Sequence, residues 1–185
     1  MRRIAGRRFR LQRMGMTPPP EWWQRGPVDG VPAVLQPVAH MLLQLRDDVP
    51  AVVAPLPWTA WNTRPGGAAS VAFHVRHIAG VLDRLFTLAR GGALSDAQIA
   101  ALKAEATPLD ADTRDALLDA LVSQIESRLD ELRQLDPSTL ADERLLGRAK
   151  LPSTVLGCIV HAAEHGMRHL GQLVVTVKVL HADAG

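Results

Sequence analysis

An all-α fold, a four-helix bundle with one short extra helix and long crossover loops, follows from three features of the sequence. Apolar residues recur at spacings of three and four along four long segments. Each segment is bounded by helix start and stop signals, and no stretch of five or more residues alternates convincingly as a half-buried strand would. Tyr is absent and Phe occurs three times in 185 residues, which also disfavours a β-sandwich.

The elements follow in order. Residues 1–30 form a basic N-terminal extension and a Pro-rich lead-in, and residues 31–181 form the bundle. Leu35, Val38, Ala39, Leu42, Leu45 and Val49 make the apolar stripe of a first helix, ending near Val53, with Pro37 tolerated in its first turns. The run from Pro55 to Gly67 holds too many breakers to be helical, and a connection this long usually has a function or covers something. Ser70 is a good N-cap for a second helix, which Gly91-Gly92 stops after Arg90. Ser95-Asp96 opens a shorter helix to about Ala106. Asp112 or Thr113 opens the next, through Leu117, Leu118, Leu121, Ile125, Leu129 and Leu132, ending before Pro137. After a polar connection, Pro152-Ser153 begins a last helix reaching about Leu180.

Composition bounds the function. With 47% apolar and 22% charged residues the chain is globular, and no apolar run approaches the ~20 residues of a membrane span. The single cysteine, Cys158, rules out an intrachain disulfide framework and fits a reducing cytoplasm. The net charge of +2 misleads, because Arg2, Arg3, Arg7, Arg8, Arg10 and Arg13 all lie in the first fifteen residues. The rest of the chain has 15 basic and 19 acidic residues and carries −4. A nucleic-acid footprint is a Lys/Arg stripe on the folded body, and this body offers none. The basic tail reads as an upstream extension before a start at Met14 or Met16, as a disordered arm, or as a targeting segment; it lacks the apolar core of a secretory signal.

Five of the seven histidines fall on two helices: His74 and His77 on the second, His161, His165 and His169 on the last. Four residues of helix amount to about 400°, so the last three form one stripe, climbing about 6 Å per step. That stripe borders the apolar face made by Val155, Ile159, Ala162, Leu170, Leu173 and Val177. On the second helix, His77 lies at the edge of the apolar arc and His74 somewhat inside it. If the two helices are neighbours, one or two histidines of the second face two of the last. Imidazoles at i and i+4 with a third from another helix make a facial metal set with an open position. A neutral hydrogen-bonded histidine network is the structural alternative. The His-Glu-x-x-His and Glu-x-x-His signatures are missing, which disfavours zincin and di-iron carboxylate sites.

The segment Ser70-Val-Ala-Phe-His-Val-Arg-His77-Ile-Ala, followed by His161-Ala-Ala-Glu-His165-Gly-Met-Arg-His169-Leu-Gly-Gln172, resembles the DinB-like superfamily over residues 31–180. The resemblance implies an up-down-down-up four-helix bundle, commonly a homodimer, with zinc or nickel held by three histidines. Carried over by position, the ligands are His77, His165 and His169. His161 matches a position that is not always a ligand, and His74 is an extra that substitutes for His77 or serves beside it. Relatives of this kind include thiol-dependent enzymes, in which the metal activates a low-molecular-weight thiol. The expected function is thus a metal-dependent enzyme that activates water or such a thiol for hydrolysis or group transfer on a small molecule. The alternative is a non-catalytic, dimeric metal-binding or stress-related protein.

Other residues carry lesser expectations. Trp58 and Trp61 wall a substrate pocket or cap the core. Arg84, seven after His77 and on its line, meets an anionic substrate or forms an interhelical ion pair. Gln172 bonds a bound water or a ligating ring, or bridges helices. Cys158 reads as a small buried hydrophobe near the stripe, and Trp22 and Trp23 as pins for the lead-in.

Overall fold

In the computed structural model, which describes residues 19–182, the chain forms five α-helices: α1 (Gln36–Val53), α2 (Val71–Ala89), α3 (Asp96–Ala104), α4 (Arg114–Gln134) and α5 (Val155–Ala182). The arginine-rich segment 1–15 lies outside the described residues. The starts of α2 and α3 and the stop of α2 have the chemistry the sequence announces. The Ser70 hydroxyl accepts from the Phe73 N–H, and Ser95 and Gln98 form a reciprocal capping box at α3. At the end of α2, Gly91 takes φ 78°; its N–H donates to Leu88 O and that of Gly92 to Thr87 O, the pairing of a Schellman stop.

The four long helices form a ring in which α5 packs on α1 and α2, and α4 packs on the same two from the other side. Their directions follow from paired contacts. His74 meets His169 and His77 meets His165, so α2 and α5 are antiparallel. Arg128 lies over Phe86 and Arg90 bonds Glu131, so α2 and α4 are parallel. Arg46 bonds Glu126 while Arg133 reaches Asp29, just ahead of α1, so α1 and α4 are antiparallel. The order is therefore up-down-down-up. Leu42, Leu45 and Val49 of α1, Val75, Ile78, Leu82 and Phe86 of α2, Leu121, Ile125, Leu129 and Leu132 of α4, and Ile159, Ala162 and Leu173 of α5 fill the centre. Each large side chain buried there contributes about 1.5–3 kcal/mol. No helix is long and apolar enough to cross a membrane among the described residues.

Two expectations need correction. The connection before α5 is a hairpin of β1 (Glu143–Leu146) and β2 (Leu151–Thr154), paired antiparallel from Glu143↔Thr154 to Leu146↔Leu151. Pro152 and Ser153 thus belong to a strand, and the helix opens at Val155, where the Thr154 hydroxyl accepts from the Gly157 N–H. Four-residue strands are too short to show their alternation, and proline is tolerated because both strands of a two-stranded sheet are edges. Arg144 anchors the hairpin to the end of α2 through Ala89 O. In the lead-in, Trp22 is the pin: its backbone N–H donates to Gln44, its ring N–H to Asp47, and Arg25 lies over its ring. Trp23 is 65% exposed and bonds Glu21, two residues away, so it pins nothing.

The crossover between α1 and α2 folds over the end of the core as 3-10 turns at Trp58–Ala60 and Pro65–Gly67. Asn62 clamps it to the α3–α4 connection, donating to Leu109 O and accepting from Leu109 N–H. Close approach at the seam between α5 and its neighbours depends on Gly166, where a Cβ would stand 2.7 Å from a Leu45 methyl carbon. Gly166→Ala is therefore expected to destabilise by about 1–3 kcal/mol through overpacking. Gly171→Ala, where a Cβ meets nothing within 4 Å, is expected to stabilise α5 by up to ~1 kcal/mol. Urea unfolding of both variants checks the opposite signs.

Candidate metal centre

Histidines three apart on α2 and four apart on α5 face one another because the two helices are antiparallel and the apolar seam beneath them fixes their register. His77 Nε2 stands 2.9 Å from His165 Nε2, and His74 Nδ1 stands 3.0 Å from His169 Nδ1. The His77 and His169 ring centroids are 4.3 Å apart and those of His165 and His169 4.8 Å. One ligand nitrogen from each of His77, His165 and His169 falls within 4.8 Å of the others. Three partly buried imidazoles therefore point at a common locus and could hold a metal ion. His74 bonds the Nδ1 of His169, which leaves the Nε2 of His169 for that locus.

The electrostatics suit a cation. Burial first, and the neighbouring His77 second, hold His74 at a pKa of about 4. Burial, then His77, His165 and His74, hold His169 at about 4 as well, and burial pushes His165 downward. Rings depressed in this way are neutral at pH 7, the form that binds metal. His165 Nδ1 is buried without a hydrogen-bond partner. Phe73, one turn before His77, stacks on its ring at 5.2 Å and 13°.

The matching carboxylate comes from outside the two helices. Glu105, directly after α3, is 5% exposed. Its Oε2 lies 2.6 Å from His77 Nδ1, and its Oε1 accepts from Arg84 at 2.7 Å. Burial would raise the Glu105 pKa, but the hydrogen bonds from His77 and Arg84 outweigh it and hold the carboxyl below the usual range. Nothing local in the sequence marks Glu105: its partners are 28 and 21 residues away. Phe73 had a signal, since i−4 from His77 puts it on the same side of the helix.

Other expected residues find their places. Arg84 is buried and its guanidinium is engaged by Glu105, so its anionic partner is internal. Trp61 is 1% exposed in the core, with the Trp58 ring 5.9 Å away. A cleft of about 600 Å³ opens instead beside His74, lined by Ala68, Ala69, Arg168, Gln172 and Val175 among others, with neither tryptophan in its wall. His161 is exposed at the outer end of the ladder, 3.5 Å from Glu164. Cys158 is buried, and burial first raises its thiol pKa, against hydrogen bonding with Ser153.

The sequence profile of the DinB superfamily matches residues 41–173, well over half of the chain, from within α1 to within α5. The chain belongs to the DinB superfamily. The match spans all the residues that converge at the histidine locus. No curated protein matches this DinB chain.

The depressed histidines set the pH response of the metal-free DinB chain. Unfolded, His74 and His169 take up protons near 6.5; folded, they do so near 4. Between these values the unfolded state binds more protons, so stability is full above pH 6.5 and falls as pH drops toward 4. Urea midpoints of chelator-treated protein at pH 7, 6 and 5 are expected to decline in that order. The His74→Asn variant is expected to show a shallower decline, and a midpoint flat across this window would contradict buried neutral rings.

Proposed function

We propose that this DinB-superfamily chain is a metal-dependent enzyme acting on a small molecule, with one divalent ion, zinc or nickel, held by His77, His165 and His169. The observation that carries this reading is the convergence of three ligand nitrogens, from segments 88 residues apart, within 4.8 Å. When bound at an open three-histidine site, such an ion supplies Lewis-acid activation, lowering the pKa of a water or of a low-molecular-weight thiol toward neutrality.

The chain's own residues prepare the locus. Burial keeps His165 and His169 neutral. His74 holds His169 from the side through Nδ1, which fixes that ring's orientation. Phe73 covers one face of His77 and sheds water from it. The cleft beside His74 brings mostly apolar walls to within one residue of the cluster, with Arg168 and Gln172 lining it. Hydrolysis, or transfer of a group to the thiol, is the reaction class this arrangement fits. A cytoplasmic homodimer is the proposed setting, and the single buried thiol is in keeping with the compartment alone.

Untagged protein reconstituted with zinc or nickel is expected to retain about one equivalent of metal per chain. His165→Ala and His169→Ala are expected to retain less than about a tenth of that, and His161→Ala to retain it all. Elemental analysis after desalting decides. A metal-free wild type would falsify the metal reading. Bound metal without thiol binding or turnover of small electrophiles would favour the non-catalytic, dimeric metal-binding alternative.

A further inference from the structure

The short helix α3 contributes no buried residue of its own, with Ile99 and Leu102 largely exposed. It is held to α2 by polar contacts: Gln98 donates to Asp83 and Thr87, and Arg76 donates to Ala104 O and Thr107 O. What it brings to the bundle is Glu105, the residue after its last turn. A carboxylate in a core costs stability unless both oxygens are satisfied. Here each oxygen has one partner, Arg84 on Oε1 and His77 on Oε2. The pair also lies against Gly80 in the interior of α2, where a Cβ would clash with Arg84 and stand 2.5 Å from Glu105 Oε1. Glycine in a helix interior is unfavourable, so a second cost is met at the same place. A structural ion pair needs Arg84 and Glu105 alone. The second oxygen, at 2.6 Å from an imidazole of the cluster, is what such a pair leaves unexplained.

We propose that Glu105, seated on Gly80 and steadied by Arg84, is the positioning residue of the histidine cluster: it fixes His77 as the Nδ1–H tautomer and directs the Nε2 lone pair at the locus shared with His165 and His169. The chemistry is compulsory in one respect. An ionised carboxylate only accepts, so the proton between Glu105 and His77 sits on Nδ1, and in the neutral ring Nε2 is left bare. Against a neutral His77, His165 Nε2, at 2.9 Å, is then the donor of the ring pair in the metal-free chain. That leaves His165 Nδ1 unprotonated, consistent with a buried nitrogen that has no acceptor beside it. A carboxylate orienting a ligating histidine in this way typically strengthens metal binding about 10–100-fold.

This inference deepens the metal reading, and its test separates the two. In the metal-free full chain, 15N NMR of the imidazoles is expected to show His77 protonated at Nδ1 and bare at Nε2. In Glu105→Gln, whose single acceptor oxygen Arg84 and His77 must share, that tautomer is expected to lose its dominance. Zinc affinity, by competition with a chromophoric chelator, is expected to fall about 10–100-fold with helix content unchanged by circular dichroism. Gly80→Ala, which displaces the pair without touching either charge, is expected to weaken zinc in the same sense and serves if Glu105→Gln does not fold. His77 found protonated at Nε2, or zinc affinity unchanged in both variants, overturns the proposal. A wild type that binds no zinc but shows the Nδ1–H tautomer overturns the metal reading and leaves the positioning role standing.

Discussion

The register between α2 and α5 is the constraint on which the site depends. Two antiparallel helices with histidines three apart on one and four apart on the other produce cross-pairs in a single alignment; a slip of one turn, about 5.4 Å, would undo both. The alignment is set by apolar packing and not by the rings. Ile78 and Leu82 are fully buried in the seam, and Gly166, beside His165, lets α5 close on Leu45 and Ile78 with no side chain between. Hydrophobic burial supplies the energy, and the polar cluster is placed by it.

Four imidazoles packed nitrogen to nitrogen create an electrostatic problem that the chain solves asymmetrically. Burial first, and then the cost of a proton on one ring beside a proton on the next, bring His74 and His169 both to about 4. Neutral rings still need donors matched to acceptors. Glu105 supplies an acceptor at one end, and Arg84 balances its charge. A histidine network and a metal site are therefore the same framework. They differ in what occupies the locus between His77, His165 and His169.

How much of this was legible from the chain alone depended on the distance over which each signal acts. The four long helices were readable because the 3.6-residue period repeats several times in each and Ser70 and Ser95 carry their own capping partners. The hairpin was not, since Glu143–Leu146 and Leu151–Thr154 are each shorter than two alternations can establish. The histidine stripe on α5 was visible as pure geometry. Whether His74 or His77 joins it was open, because both border the same arc and the choice rests on where two helices cross. Arg84 lies on the line of His77, yet its partner Glu105 follows α3, whose exposed surface gives no hint that the next residue turns inward. Of the two readings for the loop tryptophans, Trp61 takes the core, and the cleft opens beside His74, Arg168 and Gln172, residues of the histidine segments themselves.

The arrangement also ties ligand binding to the stability of one particular seam. With His77 Nε2 and His165 Nε2 only 2.9 Å apart, a single proton serves two nitrogens, and His165 Nδ1 is left without a partner in the interior. A cation accepting lone pairs from all three rings would end that competition at the cost of placing the His165 proton on the partnerless Nδ1, and net affinity for the folded state alone appears directly as folding stability. The gain would be felt where α2 meets α5 and, through Glu105, where α3 meets α2. The face between α1 and α4, helices that carry none of these rings, would feel it chiefly through global unfolding. An ion at this locus would therefore act as a cross-link between segments 88 residues apart in a chain that has no disulfide framework to do so.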